Sequence, residues 1–368
     1  MLLERARIEG TAALVGGFGR SVEAEQLLRS GWARELAMPR AEVRRRALVG
    51  VAGGSEHALR RDPHPARVPT EAHDAIRWGL ERGPVLVQTP RAGYVLALAC
   101  DRCRTPARCG RCAGPLQLTG ATTPPQCRWC GTEAPGWTCG ECGGHGLRAP
   151  VVGDARTADE LGRAFAPVPV VTSSGERVRA SVPDGRRIVV ATPGAEPVAD
   201  GGYAVVVLLD TWLLLARDSM RAAEEALRRW ANAVGLLRPG GRALAVGEPG
   251  APALQALVRW DHAGFAAREA DDRREAGLPP ATRVATMTGD PGALDDALTL
   301  LGRPEHAEVL GPLTLPPARP GDDPEERAVV RVPRSEGPEL SRALAELQRL
   351  RSARKLDPVR IQVDPLEI

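Results

Sequence analysis

Eight cysteines, the chain's full complement, fall between residues 100 and 142. They form four C-x-x-C knuckles, Cys100/Cys103, Cys109/Cys112, Cys127/Cys130 and Cys139/Cys142, separated by five, fourteen and eight residues. A C-x-x-C turn aims two sulfurs at one point, and two such turns close a tetrahedral site with no open position. Gly110, Gly131, Gly140 and Gly143, within or beside the turns, offer the backbone freedom a tight turn needs. The pattern predicts two structural zinc ions. Iron–sulfur clusters use less regular spacings than these. His145, close behind Cys142, is surplus when eight sulfurs are available. The knuckles can pair in sequence, or they can nest with the inner two on one ion and the outer two on the other. The fourteen-residue gap suits a ribbon hairpin, whose closure brings the outer knuckles together and favours nesting.

Charge restrains the reading of this module. Arg102, Arg104, Arg108, Arg111 and Arg128 face Asp101, Glu133 and Glu141, and each four-thiolate zinc adds a formal charge of about −2. The module is therefore not strongly cationic. Arg108, Arg111 and Arg128, with Trp129 and Trp137 as stacking surfaces, are the candidate nucleic-acid contacts. The alternative for both tryptophans is a place in the module's small core.

The 368 residues suffice for two or three domains. A net charge of +3 neither demands nor excludes a nucleic-acid partner. Lys355 is the single lysine, ten-odd residues from the end, with no glycine loop before it. A Walker A phosphate loop needs a lysine after its glycines, so that motif is absent. There is no run of eighteen apolar residues and no signal peptide at the N-terminus. A reducing cytoplasm is the expected location, where paired cysteines hold metal rather than disulfides.

Along the chain, Thr11–Val15 reads as a strand and Ser21 as the N-cap of a helix from Val22 to about Ser30. Residues 50–69 read as a linker, and Thr70 as the cap of a helix running to Glu81. Beyond that helix the pattern alternates. Strands are expected at Val85–Val87, Val168–Thr172, Ile188–Ala191, Tyr203–Leu209 and Arg242–Val246. Helices are expected at Asp159–Phe165, Arg221–Leu237 and Ala251–Arg259. Such alternation implies a parallel α/β sheet, with Asp210 at the carboxyl end of a central strand. After Pro279-Pro280 the pattern becomes a small α+β domain. Its strands fall near Arg283–Thr288, Glu308–Leu310, Ala328–Val332 and Val359–Val363, its helices near Leu294–Leu301 and Glu336–Arg351.

Read with its flanks, the chain resembles the primosomal protein N′ family, the bacterial replication-restart helicases. Arg91-Ala92-Gly93-Tyr94 looks like the segment that precedes the cysteine insertion in that family. The four knuckles share its order and approximate spacing. Arg221-Ala222-Ala223-Glu224 through Leu278-Pro279-Pro280 is similar to its last helicase-lobe segment, and Ile361-Gln362-Val363-Asp364-Pro365 to its terminal strand. The resemblance implies a RecA-like second helicase lobe with the two-zinc module inserted. Expected bounds are 1–60 for a remnant of the first lobe and linker, 61–98 plus 149–275 for the second lobe, 99–148 for the insertion and 276–368 for the C-terminal domain. It further implies that Cys100, Cys103, Cys139 and Cys142 share one zinc, and Cys109, Cys112, Cys127 and Cys130 the other. The implied partners are forked or single-stranded DNA, primosome proteins and the loader of the replicative helicase.

Departures from the family are equally informative. Residues 1–50 look like only the end of a first lobe, so its phosphate-binding lysine and magnesium motif are expected to be absent. Gly16-Gly17-Phe18-Gly19-Arg20-Ser21 stands where the family has Gly-Ser-Ala-Thr-Pro-Ser. Ala191-Thr192-Pro193-Gly194 replaces Gly-Thr-Gln. Near Val234-Gly235-Leu236-Leu237-Arg238 the family's paired arginines are missing, and only Arg238 could stand in for one. Such arginines stabilise charge on the γ-phosphate. The expectation is a non-enzymatic fork-binding and primosome-assembly protein, with no catalytic residues. The alternatives are an active ATP-dependent 3′–5′ DNA helicase represented by a truncated chain, and a zinc-ribbon scaffold in an unrelated assembly.

Overall fold

Tyr203–Leu208 is six residues long and buried at every one of them. A strand with no polar side can exist only in the middle of a sheet covered on both faces. In the computed structural model, which describes residues 2–52, 68–90, 98–103, 105–118, 123–148, 154–175, 177–217, 219–315 and 323–367, that is its position. In chain order the elements before the cysteine module are α1 (Leu2–Glu9), α2 (Val22–Arg29), which belongs to the second unit, α3 (Arg40–Arg46), β1 (Ala47–Val51), α4 (Thr70–Leu80) and β2 (Val85–Gln88). The cysteine module follows, with β3 (Ala99–Cys100), β4 (Leu116–Gln117), β5 (Gln126–Cys127) and β6 (Leu147–Arg148). Next come α5 (Asp154–Ala164), β7 (Val170–Ser173), β8 (Ser181–Val182), β9 (Ile188–Ala191), β10 (Val198–Ala199) and β11 (Tyr203–Leu208). Then follow α6 (Thr211–Leu215), α7 (Ala222–Val234), β12 (Leu237–Ala245), α8 (Pro252–Arg259) and α9 (His262–Glu275). Six strands form one parallel sheet in the order β1-β12-β11-β2-β9-β7. Val85 and Val87 pair directly with Val205 and Val207, so the strands on either side of the cysteine module share a sheet.

The period of two along each strand divides the core into two layers. Val85, Val87, Ile188, Val190, Val205 and Val207 face α4 and α5, whose Ala72, Ile76 and Leu161 are fully buried. Leu86, Val189, Val206 and Leu208 face the opposite way, onto Trp230 of α7 and Leu254 and Leu257 of α8. Gly79 of α4 is required by this packing. A Cβ there would lie 2.7 Å from methyl groups of both Val85 and Val205.

Several expectations need correction. Thr11–Val15 is not a strand. Leu14 and Val15 are 90% and 65% exposed, and no described strand lies beside them. An isolated strand has no hydrogen-bonded partner to hold it extended. Ala47–Val51, expected to divide between a first-lobe remnant and a linker, is instead the edge strand of the six-stranded sheet. The rest of the expected linker, residues 53–67, and the segment Arg91–Tyr94 lie outside the described residues. Thr70 is the first helical residue of α4, with Pro69 at the cap. Helix α7 ends at Val234, and Leu237 already opens β12. Helix α9 was not anticipated: His262–Glu275 mixes charges around its circumference and offers no clean apolar stripe. Ser21 does cap α2, its hydroxyl accepting from Ala24 N–H at 3.2 Å.

The second unit comprises residues 21–35 and 266–368. Its strands β13 (Thr282–Gly289), β14 (Glu308–Thr314), β15 (Glu326–Pro333) and β16 (Arg360–Val363) are antiparallel in the order β14-β15-β13-β16. Helix α10 (Pro291–Leu300) joins β13 to β14, and α11 (Gly337–Ala353) joins β15 to β16. This is a β-α-β-β-α-β ferredoxin-like arrangement. Ala285, Met287, Ala328, Val330 and Val332 meet Leu294, Leu340, Leu344 and Leu347 in its core. Within the same unit, Arg29 of α2 donates to Asp271 at 2.6 Å and to the Ala267 carbonyl at 2.9 Å. Among the described residues no helix is long and apolar enough to cross a membrane.

One buried group makes the first unit acid-sensitive. His262 is 6% exposed, packs edge-on against Trp260 at 4.7 Å and has no hydrogen-bond partner at either ring nitrogen. Burial lowers it from an ordinary 6.5 to about 4. The unfolded chain therefore takes up a proton that the folded chain refuses, and stability is lost as pH falls from 6.5 through 4. The loss at pH 4 is on the order of 3 kcal/mol. Denaturant titrations across this range should show it in the parent chain, and the component should vanish in His262→Leu.

Candidate metal centre

Each knuckle is built by one repeated turn. The N–H groups of Cys100, Cys109, Cys127 and Cys139 donate to the carbonyls of Thr105, Gly114, Thr132 and Gly144, five residues on, at 2.8–2.9 Å. Ala113, Gly131 and Gly143 then donate back to the carbonyls of Cys109, Cys127 and Cys139. That second bond requires a left-handed residue, and Gly131 and Gly143 supply it at φ 69° and 68°. Gly110 and Gly140 do not, in contrast to the expectation. In the second knuckle Ala113 takes the left-handed conformation at φ 56°, at the steric cost of its Cβ.

The knuckles nest. Cys100, Cys103, Cys139 and Cys142 form one cluster, and Cys109, Cys112, Cys127 and Cys130 the other, with all Sγ atoms of a cluster within 4.8 Å of one another. Cys100 lies 3.6 Å from Cys142 and Cys103 lies 3.5 Å from Cys139. In the inner cluster Cys109–Cys130 is 3.8 Å, and Cys112 is 3.4 Å from both Cys127 and Cys130. A disulfide would be about 2.05 Å. A tetrahedron with arms of about 2.3 Å, the zinc–thiolate length, has edges of about 3.8 Å. The donor set, its number and its spacing thus fit two tetrahedral metal ions. His145 stays outside both clusters, its Nδ1 3.1 Å from the Thr138 hydroxyl.

The surroundings of the sulfurs are arranged for thiolates. The N–H groups of Arg111 and Trp129 donate to Cys109 and Cys127 Sγ at 3.4 Å. Burial raises the Cys103 thiol, but the Thr105 hydroxyl and backbone N–H outweigh it and bring the group down to about 6. Thr132 brings Cys130 to about 6 in the same way. Cys112 and Cys142 receive lowering hydrogen bonds from Gly114 and Gly144, yet the neighbouring Cys130 and Cys103 push them up to about 12. Without metal each cluster keeps protons that a bound ion must displace, so metal affinity falls as pH falls.

Around the clusters, Leu98, Ala107 and Leu116 form a core of a few side chains, with Trp137 against it. The Trp137 indole N–H donates to the Arg108 carbonyl at 3.1 Å, a structural role. Trp129 is 51% exposed, its ring base resting on Gly114, where a Cβ would stand 2.9 Å from it and from Cys127 Sγ. Arg108 and Arg111 are exposed and Arg128 half-buried.

Elsewhere in the first unit, Asp210 follows the carboxyl end of β11 in a left-handed conformation, 8% exposed, and precedes α6. Arg238 is committed to the fold. Its guanidinium donates to the carbonyls of Gly202 at 2.8 Å and Arg82 at 2.7 Å and to the Asp184 carboxylate at 2.7 Å, which holds Asp184 below the usual carboxylate range. At the carboxyl ends of β2 and β9, Gln88 donates to Glu196 at 2.6 Å, and Gly194 N–H donates to the same carboxylate at 2.8 Å. Arg229 closes this edge, donating to the Pro193 carbonyl at 3.0 Å and to Glu225 at 2.7 Å. The sequence reading missed this network, because its members lie on β2, on the loop after β9 and on α7, far apart in the chain.

Fold and site together define a parallel α/β protein interrupted by a two-site cysteine module and followed by a ferredoxin-like unit. Residues 274–366 match the family model described as primosomal protein N C-terminal domain. The chain is 45% identical over 386 aligned positions to the probable replication restart protein PriA of Mycobacterium bovis, and equally to that of Mycobacterium tuberculosis. Both alignments cover 99% of this chain and 59% of the relative. It is 47% identical to the probable replication restart protein PriA of Mycobacterium leprae, over 97% of this chain and 57% of that one. The chain is thus similar over nearly all of its length to these PriA proteins, and spans about three-fifths of the length of the curated relatives it matches.

Gly114 tests the inner cluster separately from the outer. Gly114→Val drives a side chain into Trp129 and Cys127 and should halve the metal content of the purified chain, as read by elemental analysis, while Cys100–Cys142 stays loaded. Equal loss from both clusters would contradict their independence.

Proposed function

We propose that this chain binds stalled or abandoned replication forks and promotes assembly of the primosome and reloading of the replicative helicase, without hydrolysing ATP itself. The relatives' designation as replication restart proteins carries the first half of this reading. The nested eight-cysteine module, with two zinc ions as its occupants, is its structural counterpart. Zinc suits these sites because four thiolates with no open position make a closed structural site. The parallel α/β unit is read as a RecA-like second helicase lobe. Its partners would be forked or single-stranded DNA, primosome proteins and the loader of the replicative helicase, and the bacterial cytoplasm its location. Arg108, Arg111, Arg128 and the exposed Trp129 are the residues of the module assigned to DNA, with Trp137 supporting them from the core.

Support for the second half comes from chemistry that the chain does not offer. No glycine loop precedes its one lysine. Arg238, the arginine that could stand in for one of the family's pair, spends its donors on two carbonyls and Asp184. An arginine finger alone is worth about 10³–10⁵ in turnover.

A second reading is favoured by one specific observation. The relatives are longer, and Leu14 and Val15 form an apolar segment with nothing beside it among the described residues. In that reading the chain works with further polypeptide that supplies a first lobe, and the assembly is an ATP-dependent 3′–5′ helicase.

The deciding experiment measures fork binding and ATP turnover by the zinc-loaded chain alone. Fork binding should be present at low salt and fall by about 10³ between 50 and 200 mM salt if roughly six phosphates are held. ATP turnover should stay at background with fork DNA present. DNA-stimulated turnover that survives contaminant controls would overturn the non-enzymatic reading. Failure to bind forks at low salt would overturn the DNA-binding one.

A further inference from the structure

The six-stranded sheet is covered unequally. On the face of Val205 and Val207, α4 lies over β11 and β2, and α5 packs on β7 and β9. Of the described helices, α8 meets β1 from the opposite face, and α3 touches β1 and β12 without burying any residue of its own. Leu48 is 59% exposed on the Val205 face, and Arg242, its partner across the ladder, is exposed as well. The result is an apolar groove of about 340 Å³ lined by Leu48, Gly50, Ala75, Val205 and Leu244, with Arg242 at its mouth.

Two further features of the groove indicate its occupant. Strand β1 ends the sheet, and Ala52 N–H donates to Ala245. By the period of two, the backbone groups of Gly50 also face β12, and those of Val49 and Val51 point outward with no described strand to receive them. Arg242 is held in place by stacking. Its guanidinium lies 4.3 Å from the Trp78 ring, which Arg82 also approaches at 4.3 Å. Arg82 is paired with Glu81, whereas Arg242 has no carboxylate partner among the described residues. Exposed Arg44, Arg45 and Arg46 lead into β1, with Glu42 as the acidic partner of the last two among the described residues.

We propose that this edge is a docking site for an extended acidic peptide of a protein partner. The peptide adds to the outer edge of β1 through its backbone, seats alternate apolar side chains in the groove, and places a carboxylate on Arg242. Strand addition draws its affinity from main-chain hydrogen bonds and its selectivity from pockets for alternate side chains. A guanidinium fixed over an aromatic ring has already lost the freedom a carboxylate would otherwise have to remove. A phosphodiester chain fits less well, because it has no use for the apolar wall or for the alternating donors and acceptors of Val49 and Val51. The inference is independent of fork binding by the cysteine module, and it holds in either reading of the chain's function.

The test uses the zinc-loaded full chain and a short blocked fluorescent peptide in which Val, Glu and Phe take every second position, with Ser between them, so that apolar groups and carboxylates share one face. Fluorescence anisotropy should show saturable binding. Arg242→Glu should weaken it about tenfold or more, as expected for loss of a charge-assisted bond. Val49→Pro, which removes an outward N–H from an edge strand where proline is tolerated, should weaken it comparably. Replacing Glu by Gln in the peptide should do the same. Thermal unfolding of each variant checks that the fold is retained, and Leu48→Asp offers a second lesion in the groove. Hydrogen exchange at residues 48–51 should slow when the peptide is bound. Absence of binding, or unchanged affinity in Arg242→Glu and Leu48→Asp, would overturn the proposal. So would displacement of the peptide by single-stranded DNA, which would assign the groove to nucleic acid. A dimer in light scattering that Leu48→Asp dissociates would assign it to a second copy of the chain.

Discussion

A two-residue antiparallel pair makes the rest of the architecture possible. Ala99 pairs with Arg148 and Cys100 with Leu147, so the cysteine module leaves and re-enters the α/β unit at one point. The strands on either side, β2 and β9, can then hydrogen-bond as neighbours although about a hundred residues separate them. So short a pair has little strength alone, since isolated hairpins are marginal in water. What fastens it is the outer cluster, which joins Cys100 and Cys103 to Cys139 and Cys142 just inside the pair. The module's own apolar core is only a few side chains. Segments this small rarely fold without a metal or a covalent staple. The two thiolate clusters therefore hold the gate of the insertion as well as its interior.

The nesting follows from the same demand. Sequential pairing would have made two separate knuckle pairs and left the ends of the module free. Nested pairing places one cluster at the base and one at the tip, with a hairpin between. Cys109 and Cys127 are buried and Cys130 is exposed, so the inner cluster lies at a more open end than the outer one. Fourteen residues between Cys112 and Cys127 are what the hairpin requires, and β4 pairs with β5 inside that span.

Much of this was legible in the residues, for identifiable reasons. Strands such as Ile188–Ala191 and Tyr203–Leu208 are apolar without interruption, and only a doubly covered sheet tolerates that. The knuckles carry their spacing openly. Position 113 was not legible, because an alanine in a left-handed turn leaves no trace in composition. Strand β1 was hidden for a different reason. Ala47–Val51 is apolar but short, contains Gly50, and sits between Arg44-Arg45-Arg46 and Gly53-Gly54, so it reads as the start of a glycine-rich connection. Thr11–Val15 failed in the opposite sense. It has the composition of a strand, but strand formation needs a partner, and sequence shows propensity without showing the neighbour.

The polar edge of the sheet bears on what the α/β unit can do. In open parallel sheets the carboxyl ends of strands are where ligands bind. Here Gln88 and Gly194 both donate to Glu196, and Arg229 bridges Pro193 to Glu225 on α7. Each of these donors and acceptors is already satisfied within the chain. A phosphate arriving at this edge would have to displace Glu196 from two donors, and hydrogen bonds to a charged group are worth about 1.5–3 kcal/mol each. Pro193 also removes an N–H that a phosphate could otherwise have used. The edge is thus largely engaged within the chain, although Thr192 Oγ1 is buried there without a partner. A fork-binding and assembly role asks nothing of it, whereas nucleotide turnover would have to reopen it in every cycle.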